Sequence, residues 1–196
     1  MDENVKASWE RFLNPTCLKQ NIITASVYLM AFEMLKSSIE EKIRNFFIEG
    51  FDENGVTAGL DYKNEVLSLN RSRVYASLKW LEKQGAIDED DLNSFEMVKK
   101  HRNDLAHELF KFVSEGLDFD VSKSFDEMVR ILRKIEIWWI ANIDMAISPE
   151  SYPTDLDLNS IVPGSGLSLQ MLINTALGSE EDAMKFYNEF VARSET

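Results

Sequence analysis

The stretch "NIITASVYLMAFEMLKSSIEEKIRNFF", residues 21–47, constrains this chain more than any other. Ile23, Val27, Met30 and Met34 recur at steps of three or four, and Leu35, Ile39, Ile43, Phe46 and Phe47 carry the pattern on. That period belongs to a helix burying one face, not to a strand. It predicts a long first helix that opens after the "NPT" turn at 14–16 and stops near Gly50. "NRSRVYASLKWLEKQG" predicts a second helix, with Val74, Leu78 and Leu81 on one stripe and Gly85 as its stop. "AIDEDDLNSFEMVKK" starts a third, running to about Val113. Asp88 is placed to cap it, and Glu89, Asp90 and Asp91 sit where the positive end of the helix dipole favours acids, which explains the acidic run without a metal. A fourth opens at the capping-box pattern "SFDE", Ser124 to Glu127, and continues to about Ile147. Its apolar face holds Phe125, Met128, Leu132, Ile135 and Trp139.

Between the first two helices, "GFDENGVTAGLDYKN" has turn residues and no period, and reads as a loop without calcium-ligand spacing. "SPESYPTDLDLNSIVPGSG" is a proline-rich loop, followed by two short helices, "LSLQMLINTAL" and "SEEDAMKFYNEFVA", the second capped by Ser179. The expected fold class is all-α: a four-helix bundle over 1–147, with 148–196 forming a loop plus short helical extension of the same domain.

Composition narrows the function classes. An apolar share of 44% with 11% aromatics gives a chain of 196 residues enough material for a core. No run approaches the roughly 18 uninterrupted apolar residues of a membrane span. "MDENVKASWERF" has neither a basic nor an apolar leader pattern, so a cytoplasmic location and no membrane partner are expected. Cys17 is the single cysteine, which excludes a disulfide within the chain and a cysteine-based metal cluster. No metal or cofactor is expected. A formal net charge of −13 argues against a general nucleic-acid coat, since affinity for phosphate backbones comes mostly from Lys and Arg. Charge is uneven, however. Arg71, Arg73, Lys79 and Lys83 against Glu82 leave a surplus at 70–87, whereas 148–196 is strongly acidic. Local surplus in a global deficit suits a focused anion site.

The stretch "VKKHRNDLAHELF", Val98 to Phe110, holds both histidines. Phe95, Val98, Arg102, Leu105, Leu109 and Phe112 form the buried stripe of the third helix, so Arg102 stands where an apolar residue belongs. A guanidinium there requires partners. His107 falls about 140° from Arg102 at about 100° per residue. Asn103 and His107, four residues apart, share a face on which the amide can orient the imidazole. Phe110 lies near that face and marks an interface. Lys99 and Lys100 read as a solvated face, His101 as a surface or packing residue, and the adjacent Trp138 and Trp139 as facing different directions.

"RNDLAH" resembles the R-N-x-x-x-H motif of the HEPN superfamily, and the helix order over about 20–147 is similar to that family's. The resemblance implies a metal-independent endoribonuclease of toxin or phage-defence type, acting on RNA at a homodimer interface. His107 would move protons during attack by the 2′-hydroxyl, Arg102 would hold the charge developing on phosphorus, and Asn103 would orient the histidine or bind a phosphate oxygen. Twofold pairing would bring Arg102 and His107 of both copies into one cleft despite the angle between them. The same resemblance admits a noncatalytic regulatory or protein-interaction module, with an antitoxin or another protein as partner.

Overall fold

Asn14 and Pro15 set the start of the longest helix. The computed structural model describes residues 3–52, 55–116, 119–153 and 155–194. In it α1 (Glu3–Leu13) ends at Asn14 and α2 (Pro15–Phe46) follows. Asn14 Oδ1 accepts the Thr16 N–H at 3.0 Å, and Pro15 sits in the first turn, where its missing N–H would have had no partner. Sequence periodicity did not mark α1. Along α2, Val27, Leu35, Ile39 and Ile43 are buried as the pattern requires, whereas Ile23, Met30 and Phe46 are exposed. By length and composition α2 could cross a membrane, because its best 18-residue window averages 1.3 in hydropathy while tolerating a few charges. Of that window 44% is buried inside the protein, and a core helix passes the same test.

The helix stops at Phe46, before Gly50, and the segment expected to be a loop contains a hairpin. β1 (Ile48–Asp52) pairs antiparallel with β2 (Gly55–Ala58), with Asp52 opposite Gly55 and an irregularity between Ile48 and Gly50. Strands this short, one of them bulged, leave too few alternations to stand out in sequence. A wide π-helical turn (Tyr62–Val66) and a 3-10 turn (Leu67–Leu69) lead to α3 (Arg73–Lys83). Gly85 stops α3 as expected: at φ +74° it takes a conformation that side chains resist, and the Ala86 N–H reaches back to the Leu81 carbonyl at 2.9 Å.

α4 (Glu89–His107) and α5 (Leu109–Glu115) occupy the span read as one third helix. α6 (Val121–Trp139) runs through a π-helical turn (Ile140–Asp144) into α7 (Met145–Ile147). It opens earlier than "SFDE" implied. Asp120 Oδ1 accepts the Lys123 N–H at 3.0 Å, so Asp120 is the cap, and Ser124 is buried inside the helix. α8 (Gly164–Leu177) and α9 (Glu180–Ser194) close the chain. Ser179 caps α9 as expected, Oγ accepting the Asp182 N–H at 3.2 Å. The fold is an all-α helical bundle, and its strands among the described residues form that single hairpin.

The chain divides into two compact units. The first comprises Met1–Phe32, Met97–Val129 and Gly164–Thr196. Its core centres on Tyr28, which donates to the Val98 carbonyl at 3.2 Å and meets the edge of Phe125 at 5.4 Å. Burial pushes the Tyr28 phenol up to about 12, so it remains a neutral donor.

The second unit comprises Glu33–Glu96 and Arg130–Pro163. Trp80 and Trp139 stack at its centre, 6.0 Å apart, with Trp138 edge-on to both; Trp139 is buried and Trp138 half-buried. The acidic run at the start of α4 does more here than answer the helix dipole. Asp88 Oδ1 accepts the Asp91 N–H at 3.0 Å, and Asp91 Oδ2 accepts the Asp88 N–H at 2.9 Å, a reciprocal cap. Asp91 is fully buried and bound by Arg130 and by Lys134, the latter at 2.5 Å. Lys134 also reaches Asp88 at 2.6 Å. Hydrogen bonding from Lys134 first, then from the Asp91 N–H, lowers the Asp88 carboxyl to about 2. Burial pulls the Lys134 amine down, but its bonds to Asp88 and Asp91 outweigh that and raise it.

These shifts predict an acid-sensitive fold. A carboxyl depressed from 3.8 to about 2 contributes stability that is complete above 3.8 and is lost as pH falls toward 2. Melting temperature measured from pH 5 to pH 2 is therefore expected to fall below about pH 4. In Lys134→Met the part of that fall due to Asp88 should shrink, with the Asp91 N–H bond keeping a remainder; an unchanged acid limb would overturn the role of the Lys134–Asp88 pair.

Candidate functional site

The motif lies in the first unit, on the last turns of α4. The helix breaks immediately after His107. Glu108 leaves helical geometry at φ −115°, ψ 29°, yet its N–H still bonds the Asp104 carbonyl at 2.9 Å, and its carbonyl accepts from Phe112 at 2.9 Å. The break takes Leu109, the residue next to it, out of the apolar stripe. Phe95, Val98, Leu105 and Phe112 are buried as expected, but Leu109 is exposed. A stripe drawn on one straight helix cannot foresee that break.

Arg102 occupies the stripe position and finds partners. Its guanidinium lies over the Phe32 ring of α2, 5.6 Å from the centroid, and Nη1 donates to Asn103 Oδ1 at 3.3 Å. A cation over an aromatic face is a favourable way to keep a charge half-buried. Asn103 is thus joined to Arg102 rather than to His107. His107 is exposed, and its ring makes no hydrogen bond with a described residue. The structure brings Arg102 and Asn103 together and leaves His107 apart, in line with the angle separating them on the helix.

The other histidine is the packed one. His101 lies flat on Phe119, with ring centroids 3.9 Å apart and planes 9° from parallel, and its Nδ1 meets buried Ser124 Oγ at 2.8 Å. Burial lowers its pKa, with Asp104 opposing the shift. Phe110, expected at an interface, is 73% exposed and leans on Phe12 of α1 at 5.7 Å. Trp9, also exposed, meets the edge of Phe12, so an aromatic surface runs from α1 to α5.

Beside the motif lies a cleft of about 320 Å³ that sequence reasoning missed. Leu105, Phe112 and Phe119 form its apolar wall, and Asp104, Glu108 and Lys111 its polar lining. Lys111 pairs with Glu108 at 3.1 Å. The only sequence signal was the pair of carboxylates four residues apart that brackets His107. No family model matches this chain, and no curated protein or solved structure does.

Proposed function

We propose that the protein is a metal-independent endoribonuclease of the HEPN type, acting in the cytoplasm as a homodimer. One observation carries the reading: an exposed imidazole without a hydrogen-bond partner among the described residues ends a helix that also holds the Arg102–Asn103 pair, in an all-α bundle. An imidazole is suited to proton transfer near neutral pH. In the reaction the 2′-oxygen bonds phosphorus and the P–O5′ bond breaks. His107 takes the 2′ proton, and the 5′-oxygen is protonated by the second copy's imidazole. Arg102 stabilises the charge on the phosphoryl oxygens. The aromatic surface through Trp9, Phe12 and Phe110 offers apolar area for pairing two copies.

The test is cleavage of single-stranded RNA in EDTA, with product ends analysed. A 2′,3′-cyclic phosphate is expected; 3′-hydroxyl ends alone, or intact RNA, would overturn the mechanism. A noncatalytic interaction module, with an antitoxin or other protein as partner, is the second reading. It is favoured by Asp104 and Glu108, whose charges beside His107 oppose a phosphodiester.

A further inference from the structure

We propose that the cleft beside the motif binds guanine, which makes it the base-selecting subsite of the RNA site; the inference rests on the ribonuclease reading for its biological setting. At about 320 Å³ the cleft falls at the lower end of small-ligand sites, which run from about 300 to 1,000 Å³. Its wall is prepared in advance. Leu105 and Phe112 belong to the core, and Phe119 is held by the flat stack with His101, itself tied to Ser124, and by the edge of Tyr28 at 5.6 Å. Such a wall suits a flat ring.

The polar lining selects among rings. Glu108 is engaged by Lys111 at 3.1 Å, whereas Asp104 makes no ion pair with a described residue. That leaves one carboxylate ready to accept two parallel hydrogen bonds. Guanine supplies them from N1–H and the 2-amino group. Adenine presents an acceptor at N1 and meets the carboxylate with repulsion, and cytosine offers a single donating amino group. Cations are also at hand for a phosphate. Lys111 lines the cleft, where it is held by Glu108, and the Arg11 guanidinium lies beside Gly116, 3.8 Å from where a Cβ would stand, and donates to the Glu115 carbonyl.

Calorimetric titration of the full chain with 5′-GMP, 5′-AMP and agmatine tests the assignment. GMP is expected to bind at least about tenfold more tightly than AMP, the range of discrimination for one bidentate base contact. Asp104→Asn should bring GMP down to the AMP level with an unchanged melting temperature, because Asp104 is exposed. Glu108→Gln should keep the preference. Equal affinity for the two nucleotides, GMP binding untouched by Asp104→Asn, or binding of agmatine alone would each overturn the proposal, the last by showing a cation site. The titration needs no cleavage, so the two readings fail separately. A protein that binds GMP but spares RNA loses the nuclease and keeps the subsite. One that cuts RNA at any base and ignores GMP does the reverse.

Discussion

Asp91→Ala is expected to destabilise the protein by about 3 kcal/mol, and so to lower the melting temperature by roughly 6–12 °C. Breaking a buried ion pair typically costs about 3–5 kcal/mol, because one charge is left buried and unpaired. Here the charge removed is the buried one. The side chains left behind, Arg130 and Lys134, are 44% and 38% exposed and can rehydrate, which places the effect at the low end. Loss of the reciprocal cap with Asp88 adds to it. Asp90→Ala supplies the contrast. Asp90 is exposed in the same first turn, and its removal should cost only about 0.3–1 kcal/mol of dipole interaction. Equal losses in the two variants, read by thermal or urea unfolding, would return the whole acidic run to the dipole explanation.

His107→Ala is expected to slow RNA cleavage by about 10²- to 10⁴-fold, the range for losing a general acid–base group. Stability should change by less than about 0.5 kcal/mol, because the ring is exposed and holds nothing in place. Arg102→Ala differs in kind. On the proposed mechanism it removes the transition-state cation, and in the structure it removes the contact over Phe32, so activity is expected to fall together with about 0.5–2 kcal/mol of stability. The pair of measurements separates a group needed only for cleavage from one that also holds the fold. Full cleavage by His107→Ala would remove this residue from the mechanism, and an arginine variant that loses stability alone would confine Arg102 to packing.

What could be read from sequence was whatever a single helix decides for itself. Val27, Leu35, Ile39 and Ile43 repeat on one face of α2 and are buried there, and Gly85 and Ser179 end and begin helices through their own local chemistry. What a single-helix pattern left out was set by groups that no local signal announces. Ser124 looked like a cap because nothing local revealed that Asp120 takes that role and that His101 claims the hydroxyl. Asp91 looked like a dipole-matched acid because Arg130 and Lys134 lie about 40 residues on. Leu109 was placed in the core because the break at Glu108 has no glycine or proline to announce it. In the motif, the angle between Arg102 and His107 was legible from helix geometry, while the pairing of Arg102 with Phe32 and Asn103 depended on tertiary packing.

The stacked indoles at the centre of the second unit give that unit an optical signature. Trp80 and Trp139 lie 6.0 Å apart with planes 21° from parallel, close enough for their strong far-ultraviolet indole transitions to couple into a paired dichroism band. Their ring N–H groups have no acceptor among the described residues, which keeps their emission at short wavelength, whereas Trp9, exposed in the first unit, emits at longer wavelength. Loss of the dichroic couplet therefore times the melting of one half of the molecule, with the red-emitting indole serving as a built-in reference from the other.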